Sequence, residues 1–219
     1  MTEPRRVIQV RHLLLACFWT LPLISLTHVA GLSWLQLAAL LLIAVWTTWR
    51  PAAGLLLFAL ILPLAFAIVS LGDLPLSLSR IVESVLLALL AGWSLHVVVR
   101  PAQLQPSRLG LPVVSLALVV ATSAIVASFG QFGSVAETSK QIWRQLTVTY
   151  MSTANPMQGL AVSFRWLEVL GLAVMVDRTI HLTRSWSPLI VATWIGAGAA
   201  VAAQTVVHVA EVAMSHGLG

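Results

Sequence analysis

The chain has 219 residues, 59% hydrophobic and 9% charged, with a net charge of +5 at pH 7. A soluble domain holds roughly 45–50% and 25% of these classes. The composition, with a mean hydropathy of +0.95, therefore points to an integral membrane protein and away from a soluble enzyme or binding module. The basic residues stand singly between apolar runs, so they fit the bias of Lys and Arg toward cytoplasmic loops and no nucleic acid is expected as a partner. The single Cys17 excludes an internal disulfide framework and a cysteine-based metal cluster.

With about 20 residues needed per membrane crossing, the apolar runs divide into about seven spans. The first extends from His12 to His28, after the basic Arg5, Arg6 and Arg11, and carries Cys17 inside it. A turn at Ala30-Gly31-Leu32-Ser33 leads into a second span, Trp34 to Trp49. That immediate return fits a signal-anchor or helical hairpin better than a cleaved signal peptide. Trp46 and Trp49 fall where an aromatic belt is expected. Arg50-Pro51 ends this span, and a third follows from Ala52 to Leu71, with a kink expected at Pro63. The polar connection Gly72 to Ser79 precedes a fourth span, Arg80 to Val99, and Arg100 to Arg108 is a loop. The fifth span covers Leu109 to Phe129.

The stretch 130–158 is the longest polar one and is read as an extracytoplasmic loop. Within it Ser134-Val135-Ala136-Glu137 has the form of a capping box. Val135, Ile142, Leu146 and Tyr150 then recur at helical spacing, which predicts a short amphipathic helix on the membrane surface or against the bundle, ended by Asn155-Pro156. The sixth span runs from Gly159 to Val176 and is closed by Asp177-Arg178; the seventh runs from Pro188 to Ala213. With the N-terminus cytoplasmic, the inner segments hold Arg5, Arg6, Arg11, Arg50, Arg100, Arg108, Arg178 and Arg184. The outer ones hold Lys140 and Arg144, with Arg80 at the boundary. The inner excess sets the orientation. The expected fold is all-α: one polytopic transmembrane helix bundle over residues 1–219, N-terminus in and C-terminus out, with a short amphipathic helix in the outer loop.

One pattern recurs. Ser79-Arg80-Ile81-Val82-Glu83 and Phe164-Arg165-Trp166-Leu167-Glu168 each place an Arg and a Glu three apart at the head of an apolar run, on one face of a helix. Charges within membrane-length segments are costly and face the interior or a polar cavity. Arg165 would lie about 9 Å into the sixth span from the outer side, at 1.5 Å per residue, and both pairs face the same leaflet. The functional reading is an outward-open polar cavity where guanidinium groups meet an anionic headgroup, since Arg presents a planar fork to phosphate. Two intra-helix ion pairs, or one cross-helix network holding the bundle together, account for the same residues.

Other polar positions carry less. Gln204, His208 and Glu211 form one stripe on the last span. They lack the further ligands of a metal site, so a polar helix contact is expected and no metal or cofactor. Gly196 and Gly198, with Ala192 and Ala200, make a small-residue face that predicts close helix packing. His28, His96, His181 and His216 receive no role. Asp73 has the chemistry of a general base, but a lone loop Asp is ordinarily a turn residue. No Walker loop, nucleophile elbow or aspartate-rich motif is present.

Together, the first hairpin, the Arg50-Pro51 start of a long span and the segment from Asp73 through Ser79-Arg80-Ile81-Val82-Glu83 to Leu86-Leu87-Ala88-Leu89-Leu90-Ala91-Gly92-Trp93 resemble the N-terminal half of the O-antigen ligase and polymerase family. The later Arg165-Trp166-Leu167-Glu168 helix adds to the likeness, which extends over residues 11–213. It implies a multi-pass glycosyltransferase of the bacterial inner membrane, acting in surface polysaccharide (lipopolysaccharide) biosynthesis. Its donor would be an undecaprenyl-diphosphate-linked glycan, transferred at the outer face, with Arg80 and Arg165 on the diphosphate and Glu83 and Glu168 as supporting ion pairs. Members of that family are longer and carry their catalytic Arg and His in a C-terminal half. No acid or base of theirs maps here, so the expectation is the donor-lipid-binding half of such an enzyme, either a fragment or a shortened relative inactive alone. A transporter or flippase subunit and a non-catalytic membrane scaffold are the alternatives.

Overall fold

The computed structural model describes residues 5–29, 34–71, 78–100, 109–147, 158–182 and 187–215. Among them are eight α-helices and no strand: α1 (Arg5–Val29), α2 (Trp34–Trp49), α3 (Pro51–Leu71), α4 (Leu78–Val99), α5 (Gly110–Phe132), α6 (Val135–Thr147), α7 (Gln158–Leu182) and α8 (Ser187–Ser215). The all-α class follows, with α6 as the short amphipathic element and each other helix close to an expected span. Two stretches of the described chain are long and apolar enough to cross a membrane, Ile81–Val99 and Gly110–Phe132. The first is mostly buried within the protein, the second not at all. The turn at 30–33, the connection 72–77, the loop 101–108 and the Asn155-Pro156 helix stop lie outside the described residues, as do Asp73 and Tyr150.

Helix α4 is the axis of the fold and packs against α1, α2, α3 and α7. Val85 through Ala91, Trp93 and Val97 are all buried, a run apolar on every side, as expected of a helix surrounded by others. The crossing with α2 is the tightest. Thr48 Oγ1 donates to the Gly92 carbonyl at 3.1 Å and to Ala44 at 2.9 Å, and His96 Nδ1 lies 2.8 Å from the Thr48 carbonyl. A Cβ on Gly92 would run into the Ala44 backbone, so this crossing requires glycine. His96, assigned no role from sequence, helps to lock the pair.

Contacts along the seam fix the helix directions. Gln9 Nε2 donates to the Val98 carbonyl at 3.3 Å, His12 meets Trp93, Trp19 and Leu90 both touch the space beside Gly171, and Arg165 meets Glu83. Hence α1 runs antiparallel to α4 and α7, which are parallel to each other. Helix α5 lies outside this core, against α7 and α6, with Leu111, Val114, Val119 and Val126 exposed. It ends at Gly133 (φ 70°), whose N–H bonds the Phe129 carbonyl. Ser134 then caps α6, its Oγ accepting from the Glu137 N–H at 3.2 Å, as the capping box predicts. Ile142 and Leu146 of α6 pack into the core while Val135 stays exposed, so α6 lies against the bundle.

Two expectations need correction. The sixth span does not close at Asp177-Arg178: α7 continues to Leu182, because Thr179 and Arg178 find burial against neighbouring helices. Among the described residues the small-residue face of α8 does not pack closely, since a Cβ on Gly196 or Gly198 would meet nothing within 4 Å. The α3 contact uses the face of Trp194, 5.8 Å from Phe58, and the buried Ala197. The kink expected at Pro63 and the stripe of Gln204, His208 and Glu211 involve side chains outside the description; α3 runs through Pro63 as one helix.

Gly92→Ala should lower stability by about 1–3 kcal/mol, the usual cost of forcing a methyl into a closed contact. Gly130→Ala, where a Cβ meets nothing, should not. Thermal unfolding of the purified protein in detergent reads the difference.

Candidate functional site

The α1–α4–α7 seam is built in layers set by seven-residue steps, two turns of helix that return to nearly the same face. On α1 these are His12 and Trp19; on α4, Glu83 and Leu90, with Trp93 three residues further on; on α7, Phe164 beside Arg165, then Gly171 and Arg178. The middle layer, Trp19, Leu90 and Gly171, is apolar and close-packed. A polar layer lies on each side of it.

At one end Arg165 Nε lies 2.6 Å from Glu83 Oε1, a short charge-assisted contact joining α7 to α4. Glu83 is largely buried, whereas the Arg165 side chain is 43% exposed. Glu168 is buried to 2% exposure and lies within electrostatic reach of Glu83. Of the arrangements open from sequence, the cross-helix link therefore forms for Arg165. An Arg–Glu pair three apart with the Arg first is also the less favourable order against the helix dipole. Arg80 falls in the first turn of α4, one turn before Glu83; its side chain lies outside the described residues.

Around this layer α6 packs against α1, α5 and α7. Its exposed Lys140 lies 3.8 Å from Glu137, and Gln141 Nε2 donates to Glu137 Oε1 at 2.7 Å. Among the described residues no group of three or more His, Cys, Asp or Glu is placed to hold a metal ion. Nor do these residues assemble a nucleophile with a general base. The chemistry on offer is charge: a half-exposed guanidinium, anchored at one edge by a buried carboxylate and accessible elsewhere.

At the other end His12, Trp93 and Arg178 form the second polar layer. Sequence reading placed His12 at the head of a span and Arg178 at the foot of one, and missed the layer. The signal was the heptad spacing of Phe164, Gly171 and Arg178. No family model, no curated protein and no solved structure matches the chain.

If the Arg165–Glu83 contact ties α7 to α4, Glu83→Gln and Arg165→Gln should be non-additive. The double variant should lose less stability than the sum of the single ones, by about 1 kcal/mol for a contact pair, discounted because the guanidinium is partly exposed. A double-mutant cycle on unfolding midpoints measures the coupling.

Proposed function

We propose that the chain is a multi-pass membrane protein, seven spans plus the short amphipathic helix α6. In this reading the Arg165–Glu83 layer receives the anionic headgroup of a lipid in the outer leaflet of a bacterial inner membrane. Support for the membrane setting comes from the unburied apolar face of α5 and from exposed tryptophans, Trp46 and Trp49 at one end of α2 and Trp34 at the other, where interfacial belts sit. The observation that carries the headgroup reading is the half-exposed Arg165, braced by buried Glu83. A braced guanidinium is pre-organised for an anion and loses little freedom on binding.

Following the resemblance noted from sequence, the lipid is an undecaprenyl-diphosphate-linked glycan. The chain is then the donor-binding part of an O-antigen ligase-like glycosyltransferase in lipopolysaccharide synthesis, with Arg80 and Arg165 on the diphosphate and Glu83 and Glu168 holding them in place. A second reading is favoured by one observation. The pairing of Arg165 with Glu83 across two helices fits a purely structural tie, as in a non-catalytic scaffold, at least as well as it fits an anion site. A transporter or flippase role has weaker support, because the middle of the seam is close-packed.

Purified protein should bind a polyprenyl diphosphate in detergent, and Arg165→Gln and Arg80→Gln should each weaken that binding about tenfold or more, the scale of a lost charge-assisted hydrogen bond. Unchanged binding in folded variants rules out the donor role and leaves the scaffold. Solute counterflow in proteoliposomes would instead favour transport.

A further inference from the structure

The second polar layer is unaccounted for by any role given so far. His12 is 3% exposed, and among the described residues neither of its ring nitrogens has a hydrogen-bond partner. Arg178 has two buried nitrogens, Nε and Nη1, in the same condition. Both side chains stand against one indole. The His12 ring is 5.9 Å from that of Trp93 and edge-on at 87°, and Arg178 Cζ is 6.0 Å from the Trp93 ring centre. Arg11 and Arg178 lie within electrostatic reach of His12, and Arg11 and Asp177 within reach of Arg178.

Polar groups buried without partners are rare in folded proteins, and each costs free energy. Here four such nitrogens, two of His12 on α1 and two of Arg178 on α7, lie beside the same Trp93 of α4. A packing role explains them poorly, since an apolar side chain at position 12 would fill the same space against Trp93 without that cost. Their chemistry is mainly that of donors. Arginine only donates, and a neutral imidazole donates from one nitrogen and accepts at the other. With Arg11 beside His12 and Asp177 as the neighbouring acid, the fixed charges of the layer sum to a net positive. A group rich in acceptors and carrying negative charge complements that set. An oxyanion of phosphorus fits it best, because a guanidinium offers planar N–H edges that match two of its oxygens. The indole face, buried and flat, holds the guanidinium plane in position through its π-electrons.

Depth is consistent with such a guest. Arg178 lies four residues before the end of α7 and His12 seven residues after the start of α1. These are about 6 Å and about 10 Å at 1.5 Å per residue, within reach of a phosphate entering from that end of the bundle.

We propose that the His12–Trp93–Arg178 layer is a phosphate-oxyanion binding site, filled either by an anionic phospholipid headgroup or by free phosphate. The site is separate from the Arg165–Glu83 layer and does not rest on the function proposed for it.

The test uses the full chain, delipidated in an uncharged maltoside detergent. Inorganic phosphate and phosphatidylglycerol are titrated separately while the unfolding midpoint is followed and retained lipid is counted by native mass spectrometry. One of the two probes should raise the midpoint saturably. A response to phosphatidylglycerol alone identifies a headgroup site, and a response to inorganic phosphate a site for the free anion. Arg178→Gln should weaken the response about tenfold or more, and Arg178→Lys less. His12→Phe, which keeps the ring contact with Trp93 but removes both nitrogens, should weaken it with no change in fixed charge. Thr122→Val, on the surface of α5, should leave it unaltered. If Arg178→Gln fails to fold, Arg178→Lys and His12→Phe carry the comparison. The proposal is overturned if neither probe stabilises the wild-type protein, or if the folded Arg178 and His12 variants respond as the wild type does.

Discussion

A helix buried on every side has nowhere to send its polar groups except to its neighbours, and α4 is such a helix. Glu83, Ser84, Ser94 and His96 are all buried, and in the proposed membrane setting hydrocarbon around the bundle would offer them no compensation. Several of the polar groups of α4 receive partners from its neighbours. Arg165 comes from α7 to Glu83, Thr48 and its carbonyl come from α2 to Gly92 and His96, and Gln9 comes from α1 to the Val98 carbonyl. Without these, burial of α4 would cost more than its apolar run returns. Gly92 belongs to the same constraint, because the hydroxyl of Thr48 reaches the α4 backbone only where no side chain separates the two helices.

Layering along the seam follows from the same cause. Polar residues collect near the two ends of α4, and the stretch between, Val85 to Ala91, is almost fully buried and apolar. Glu83 and Trp93 are thus about 15 Å apart along the axis, with Leu90, Trp19 and Gly171 closing the space between the layers. Charge at one end is insulated from charge at the other by packed side chains. Among the described residues the seam holds two polar layers with no polar side chain joining them, so transport would require α1, α4 and α7 to move apart.

Much of the fold is legible in sequence because its signals are local. Arg50-Pro51 stops α2 and starts α3; Ser134 and Glu137 start α6; the length of each apolar run sets its helix. The side-chain partnerships are legible only in part. Arg165 and Glu83 stand in recognisable motifs, but nothing local says that Arg165 would reach Glu83 on α4 rather than hold Glu168 on its own helix. Arg178 and Trp93 are far apart in sequence, and Asp177-Arg178 has the composition of a span end whether the helix stops there or continues. The glycines of α8 illustrate the same limit. A small-residue stripe looks alike whether it meets another helix or open space, and the bulky Trp194 on the adjoining face decides the contact.

In the proposed membrane setting, depth would bring both polar layers near lipid headgroups. Helix α4 has 22 residues and is about 33 Å long, close to the roughly 30 Å thickness of a bilayer's hydrocarbon core. Glu83 lies five residues from one end and Trp93 six from the other, so each layer is about 8–9 Å inside its end of the helix. That is too deep for an exposed ion pair and shallow enough for an arginine to extend toward the headgroups. A guanidinium at this level gains most from a partner that brings its own charge down from the interface. Arg165 meets that demand partly within the protein, through Glu83. For Arg178 the acidic neighbour is Asp177, yet two of its buried nitrogens remain without a hydrogen bond. The asymmetry separates the layers: the first holds its own counter-charge across two helices, whereas the second is built to receive one.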